Sequence, residues 1–297
     1  MNILVTGGTG LIGSHLINEM VAEGHHFTVL TRSPESASRS LPASCKFVKA
    51  LAEAADFSYF DAVINLAGEP IADKRWSALQ KRRICDSRWN ITSQLVARIN
   101  AASSPPQVVI SGSAVGFYGR QGDRQVTEHN YFVNDEFTHQ VCAKWEDIAL
   151  SAQSDKTRVC VLRTGIVLDS EKGALAKMRL PFKLGLGGKL GSGEQYMSWI
   201  HIKDMVAGIR FLLTHYHCQG AFNFTAPEPV TNKTFTDEFA RSMNRPSLFT
   251  VPAFSLKLLL GEASDLLLTG QNVYPARLTE AGFTFSYPEI RQAMQAL

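Results

Sequence analysis

The sequence predicts an α/β protein: a doubly wound parallel sheet followed by a smaller mixed region that would carry substrate contacts. Strand-like and helix-like segments alternate through the first 168 of the 297 residues, the pattern of successive βαβ units. The strand-like runs are almost continuously apolar, as strands covered on both faces must be. Several glycines fall between the first strand and the first helix.

Residues 3–6 are a short β-branched run that ends in those glycines. From 11 to 21, Ile12, Leu16 and Met20 recur every four positions beside Ile17 and Val21, which gives an amphipathic helix closed by Gly24. Residues 27–31 and 46–48 form the second and third strands, and the apolar run 62–66 suits a central fourth strand. A long helix over 76–102 is stopped by Ser103-Ser104-Pro105-Pro106, and 108–111 is the fifth strand. After a polar loop, a helix over 135–152 would bury Phe137, Val141, Trp145 and Ile148, and 159–163 is the sixth strand. The stretch 181–196, with five glycines and basic side chains, is expected to be a flexible loop able to close over a ligand. Short helices fill the remainder. The expected divisions are 1–168 for the sheet domain, to which later segments return, 169–250 for substrate-side loops and helices, and 251–297 for a C-terminal domain.

Hydrophobic residues make up 45% and charged residues 19%, which excludes a disordered chain. No apolar run reaches the roughly 20 residues of a membrane helix, so the protein should be soluble and without a membrane partner. The start runs directly into the first strand with no leader, so the cytoplasm is the expected compartment. Five cysteines lie scattered without a Cys-x-x-Cys pair, which suits a reducing compartment and argues against zinc; His215, His217 and Cys218 lack further ligands at a useful spacing. A net charge of +3 is too mild to imply nucleic acid. The cluster Lys74, Arg75, Lys81, Arg82, Arg83 and Arg88 reads either as a solvated helix face or as a source of one arginine for a phosphate.

The run Thr6-Gly7-Gly8-Thr9-Gly10-Leu11-Ile12-Gly13 places glycines at 7, 10 and 13 between strand and helix, the context that makes it a dinucleotide-binding loop. The first glycine turns the chain off the strand, the second admits a pyrophosphate, and the third lets the helix pack close while its N-terminus faces the phosphates. The second strand ends Thr31-Arg32-Ser33, where an enzyme specific for NAD would carry an acid. Arg32 can pair with a 2′-phosphate and stack on adenine, and Thr31 can donate to it, so the expected cofactor is NADP(H).

These residues, with Asn65-Leu66-Ala67-Gly68 and Ser111-Gly112-Ser113-Ala114, resemble the extended short-chain dehydrogenase/reductases, the group of nucleotide-sugar epimerases and dehydratases built on the Rossmann fold. Ser87-Arg88-x-x-x-Thr92, Arg163-Thr164-Gly165-Ile166-Val167-Leu168, the glycine stretch after Pro181-Phe182, Trp199-Ile200-His201-Ile202-x-Asp204 and the tail around Tyr274-Pro275-x-Arg277-Leu278 are similar to an atypical subgroup, the epimerase family proteins, which carry an extra C-terminal domain. The resemblance implies that Gly7, Thr9, Gly10, Leu11, Ile12 and Gly13 hold the pyrophosphate. It also implies that Thr31 and Arg32 hold the ribose phosphate, that Leu66, Ala67 and Gly68 line the adenine and ribose, that Arg88 approaches from the long helix, and that Val167 lies near the nicotinamide. Asn65 reads equally as a loop cap.

The resemblance fails where proton transfer should occur. Typical members use a serine and a Tyr-x-x-x-Lys pair on one helix face, where the ammonium and the cofactor lower the phenol's pKa. If Glu146 matches their glutamate, the tyrosine and lysine positions are Thr138 and Cys142. The other register, Gln140 and Lys144, keeps a lysine but offers an amide for the acid. Ser113 remains as a candidate to bond a carbonyl or hydroxyl, or is satisfied by its own loop. Tyr118, in the same loop, is the first candidate replacement acid, ahead of His139, Tyr196 and His201. His201 and Asp204 read as structural, with Asp204 capping the next helix. Arg179, Lys183 and Lys189 either clamp an anionic substrate or belong to a plain mobile loop.

Two functions follow as expectations. One is an NADP(H)-dependent oxidoreductase or epimerase acting on a hydroxyl or carbonyl of a small molecule, a nucleotide-sugar among the options. The other is an NADP(H)-binding regulatory or scaffold protein that has lost the chemistry. A homodimer through the long helices is expected by analogy alone.

Overall fold

The computed structural model describes residues 1–54 and 56–297. The strands are β1 (Asn2–Thr6), β2 (His26–Leu30), β3 (Lys46–Val48), β4 (Ala62–Asn65), β5 (Val108–Ala114), β6 (Gln125–Val126), β7 (Arg158–Thr164), β8 (Ile166–Leu168), β9 (Gly188–Leu190), β10 (Tyr196–Met197), β11 (Trp199–His201), β12 (Gly220–Phe224), β13 (Val230–Thr231), β14 (Phe249–Val251) and β15 (Asn272–Val273). The α-helices are α1 (Leu11–Ala22), α2 (Pro34–Ala37), α3 (Ala78–Ala101), α4 (Phe137–Leu150), α5 (Gly173–Lys183), α6 (Ile202–Thr214), α7 (Asn232–Ser242), α8 (Ala253–Leu260), α9 (Asp265–Leu268), α10 (Ala276–Glu280) and α11 (Ile290–Gln295).

Seven strands form one sheet in the order β12-β7-β5-β4-β1-β2-β3, every pair parallel. Ile3, Leu4 and Val5 of β1 are fully buried, each worth roughly 1.5–3 kcal/mol of transfer from water. The pleat sends them to opposite faces. Ile3 and Val5 pack with Leu16 and Ile17 of α1 and with Met205 and Ile209 of α6, whereas Leu4 packs with Leu95 and Ile99 of α3. Because β2 and β4 lie on either side of β1, the chain changes direction there, and the C-terminal ends of β1 and β4 flank a crevice at the switch point.

The structure adds a seventh strand, β12, on the outer edge of β7. The long helix begins at Ala78, where the Ser77 side chain accepts from the Gln80 N–H and caps it. The later helix spans Phe137–Leu150, and its buried positions are Val141, Cys142, Trp145, Glu146 and Ala149, with Phe137 and Ile148 half-buried. Its inward face therefore carries a carboxylate.

The stretch 181–196 is not one open loop. It contains the end of α5, β9 paired with β14, and the start of β10. Nor does Asp204 cap α6. His201 Nδ1 accepts from the Lys203 N–H as the cap, while the buried Asp204 carboxylate accepts from the Ser286 and Tyr287 N–H groups and fastens the C-terminal segment. A further core of Leu175, Phe182, Trp199, Phe235, Phe239 and Ile290 ties α5, β11, α7 and α11 together.

Candidate cofactor and catalytic site

Gly7 adopts φ +70°, and a Cβ there would fall 2.5 Å from the Leu66 carbonyl oxygen, so glycine is required on both counts. A Cβ on Gly13 would fall 2.5 Å from the Gly7 oxygen. The loops after β1 and β4 thus touch, backbone to backbone. α1 starts at Gly10 with no side-chain cap, which leaves its first amides open to an anion. Beneath the loops, buried Asn65 is more than a loop cap: Thr6 Oγ1 donates to its Oδ1 at 2.6 Å, and its Nδ2 donates to Thr92 Oγ1 at 2.8 Å, linking β1, β4 and α3.

Thr31 follows β2 on the same edge of the sheet, its N–H bonded to the Val48 carbonyl. Arg32 beside it is exposed and makes no hydrogen bond or ion pair among the described residues. On the other side of the loop, a Cβ on Gly173 at the start of α5 would lie 3.1 Å from Leu11 Cδ2 and 3.6 Å from the Val167 oxygen. Leu11 and Val167 therefore lie on either side of Gly173. His15 Nε2 lies 3.0 Å from Asp169 Oδ2, joining α1 to the turn before α5.

Arg88 reaches from α3 to the end of β4. A Cβ on Gly68 would meet its guanidinium at 2.9 Å, its Nη1 donates to the Glu69 and Ile84 carbonyls, and it lies 5.3 Å from the centre of the Trp145 ring. Burial lowers its pKa, yet no carboxylate pairs with it among the described residues. The rest of the predicted basic cluster is largely paired: Lys74 with Glu69, Lys81 with Glu262 and Arg82 with Asp86.

The other side of the crevice is sealed. Ser113 lies on β5, not in a loop, is 6% exposed, and donates to Glu146 Oε1 at 2.6 Å. Arg163 of β7, opposite Ser113 in register, donates to both oxygens of Glu146 at 3.0 and 2.8 Å. Burial alone would push this guanidinium's pKa down, but the hydrogen bonds and charge of Glu146 outweigh it and hold it above the ordinary value.

Arg163 Nη1 also donates to the Tyr118 hydroxyl at 3.1 Å, and that hydroxyl donates to Asn223 Oδ1 at 2.7 Å. Ser113 and Tyr118 are thus joined, as two ends of one buried polar chain. Tyr118 is fully buried, and burial pushes its phenol to about 12 despite the opposing Arg163 charge. That is a structural tyrosine, with no free face for a substrate. The one trace of this network in the sequence is an arginine closing the apolar run of β7, since a buried arginine needs an acid.

At the positions of the missing pair, Thr138 packs against Gly116, and Cys142 is buried, its thiol raised to about 11 by desolvation and then by the Glu146 charge. His139 Nδ1 donates to the Phe117 carbonyl, and its ring packs edge-on against Phe117. His201 is buried, stacked on Tyr287, and held neutral at a pKa of about 4 by burial and then by Lys203. Tyr196 belongs to β10, half-buried opposite Thr231. Arg179 and Lys189 bond to the Ser170 and Ser192 carbonyls, while Lys183 is exposed. A cavity of about 340 Å³ lies elsewhere, between Met1, His25, Arg210 and Phe283 at the opposite end of the sheet. No group of three metal-binding side chains occurs among the described residues.

A sequence profile of the NAD dependent epimerase/dehydratase family matches residues 3–224, and one of a domain of unknown function, DUF1731, matches residues 251–297. An Arabidopsis thaliana protein named epimerase family protein SDR39U1 homolog, chloroplastic, is 40% identical over the whole chain and 86% of its own length. A Staphylococcus aureus epimerase family protein is 35% identical, covering 99% of this chain and 98% of the relative. The crystal structure of human epimerase family protein SDR39U1 with NADPH is 33% identical and superposes with a TM-score of 0.92, covering 100% of this chain and 98% of the human one. A Bacillus cereus UDP-glucuronic acid 4-epimerase, at 16% identity and a TM-score of 0.78, shares the fold.

Proposed function

The chain belongs to the NAD dependent epimerase/dehydratase family, and from that premise we propose that it binds NADP(H) in the crevice between β1 and β4 and exchanges a hydride with a small molecule bearing a hydroxyl or carbonyl, without a Tyr–Lys proton relay. The observation that carries the cofactor half is the cradle without side chains at Gly7, Gly10 and Gly13 beneath the uncapped start of α1, which fits a pyrophosphate. Unpaired Arg32, next to Thr31 and with no acid at the end of β2, fits a 2′-phosphate. The NADPH in the human relative supports the same assignment. When bound, the nicotinamide supplies or accepts the hydride.

The chain's own groups do the rest. Gly10 to Gly13 orient the phosphates, Leu66 to Gly68 exclude water along the ribose, and Arg88 provides a cation near Cys142 that no carboxylate pairs among the described residues. A thiol held at about 11 and a phenol at about 12 leave little acid or base strength near neutral pH. Acceptors that delocalise the negative charge left by hydride transfer, such as quinones and activated carbonyls, therefore suit this site better than simple ketones. The free thiols of all five cysteines are consistent with a reducing compartment, the cytoplasm in this reading.

A second reading, cofactor binding without turnover in a regulatory or scaffold protein, is favoured by the commitment of Ser113 to Glu146. The two separate on mixing the protein with NADPH and a panel of quinones, activated carbonyls and sugar nucleotides. Loss of nicotinamide absorbance on an acceptor, abolished when Gly7→Ala removes NADPH binding, supports the oxidoreductase. Saturable NADPH binding with no loss on any acceptor supports the second reading.

A further inference from the structure

A chain in water hides large apolar side chains, yet one face of this protein displays them. Leu184 and Leu186 after α5, Leu248 before β14, and Phe254, Leu258 and Leu259 on α8 are each between 59% and 85% exposed. They sit on elements that are joined to one another. β9 pairs with β14 with Gly188 opposite Phe249, Arg245 Nε donates to the Lys183 carbonyl at 3.1 Å, and the Gly191 N–H donates to the Val251 carbonyl at 2.9 Å. On α8, Leu256 points inward and anchors the helix, while Phe254, Lys257, Leu258 and Leu259 are turned to solvent. Large apolar side chains left exposed on elements joined in this way mark an interaction surface.

The charges say what would cover it. Between Glu171 and Glu194, and again between Asn244 and Glu262, every charged side chain is a lysine or arginine, seven in all. Lys177 is paired with Asp73, but Lys183 and Lys257 are exposed and make no ion pair among the described residues. Glu262 and Asp265, the acids that follow α8, are engaged by Lys81 and Arg120. The nearby Asp237 is engaged by Ser247 and Lys233, so a two-fold contact between two copies would set the unpaired Lys183 and Lys257 against a face with the same excess of positive charge, where like charges oppose docking. Leucine and phenylalanine beside unpaired lysines instead match the boundary of a bilayer that carries anionic headgroups. No described helix is long and apolar enough to cross a membrane, so contact of this kind lies on the surface.

We propose that the face formed by the α5–β9 turn, β14 and α8 docks on anionic phospholipid, with Phe254, Leu258 and Leu259 entering the headgroup region and Lys183 and Lys257 meeting phosphates. The proposal runs against the expectation of no membrane partner, and the vesicle experiment decides between them.

The full chain is sedimented with vesicles of phosphatidylcholine and phosphatidylglycerol in equal parts, and with phosphatidylcholine alone. Retention at least about tenfold stronger on the anionic vesicles, weakening as salt is added, is expected from a few lysines near the surface. Leu258→Ser/Leu259→Ser should lower it by about tenfold or more through lost apolar insertion, and Lys183→Gln/Lys257→Gln should remove the preference for anionic lipid. Thermal melts check that both variants fold. Independently, emission from Phe254→Trp should shift to the blue on adding anionic vesicles. Absence of retention, equal retention on neutral vesicles, or a concentration-dependent dimer that Leu258→Ser/Leu259→Ser abolishes in lipid-free solution overturns the proposal.

Discussion

The two sides of the crevice at the head of the sheet are built on opposite plans. On the β1–β2 side the polar groups are left open: α1 has no side-chain cap, Arg32 has no partner among the described residues, and a Cβ is excluded at Gly7 and Gly13. On the β5–β7 side each group has its partner, from Ser113 through Glu146 and Arg163 to Tyr118 and Asn223. Open donors in a shaped cradle are what a ligand needs, because an unmade hydrogen bond inside a protein is costly until something completes it. Completed buried networks fix a fold. The contrast teaches that the groups free to meet a ligand are gathered on the β1–β2 side, while the polar groups of the β5–β7 side are spent on one another.

The contrast breaks most sharply at Arg163. Arg163→Met strands the Glu146 carboxylate in the core and should cost about 3–5 kcal/mol in denaturant unfolding. Arg163→Met/Glu146→Leu should recover most of that, since no buried charge remains; failure to recover would mean the pair does more than satisfy itself. On the open side, Gly7→Ala forces a Cβ onto the Leu66 carbonyl at φ +70°, a strain of about 1–3 kcal/mol. The same change should abolish NADPH binding in titration, whereas the Arg163 variants should bind NADPH wherever they stay folded.

A smaller effect distinguishes structure from chemistry at Tyr118. Tyr118→Phe leaves Asn223 Oδ1 and one Arg163 donor unmatched and should cost about 1–2 kcal/mol, with any turnover per folded molecule unchanged. A selective fall in turnover would restore Tyr118 as the acid. A further effect appears only at low pH. His201 has its native pKa depressed from 6.5 to about 4, so as pH falls through that window the unfolded chain takes up a proton that the folded one refuses. Its contribution is present above about 6.5 and is lost progressively towards about 4. His201→Gln should flatten that part of the stability profile.

Much of the sheet was legible because a buried parallel strand announces itself as an apolar run, and the loop at residues 6–13 because its glycines sit between strand and helix. β12 escaped because Gly220-Ala221-Phe222-Asn223-Phe224 holds no β-branched residue and includes an asparagine. That asparagine is tolerated inside because Tyr118 and the Tyr274 carbonyl satisfy it, which only the tertiary fold reveals.

The glycines at 7 and 13 were legible because backbone shape dictates them. The catalytic side was not. Ser113, Tyr118 and Glu146 are of types that serve chemistry or a buried network equally well, and only Arg163 arriving from the next strand decides between them. Asp204 shows the same limit: near a helix start it reads as a cap, but its partners are residues 286 and 287.

The central claim is tested most directly by calorimetric titration of NADPH and NADH into the wild-type chain and Arg32→Ala. NADPH should bind the wild type about 10–100-fold more tightly than NADH, the worth of a charge-assisted contact to the 2′-phosphate, and Arg32→Ala should erase most of that difference while leaving NADH binding unchanged. Equal affinity of the wild type for the two nucleotides, or no binding of either, would contradict the account.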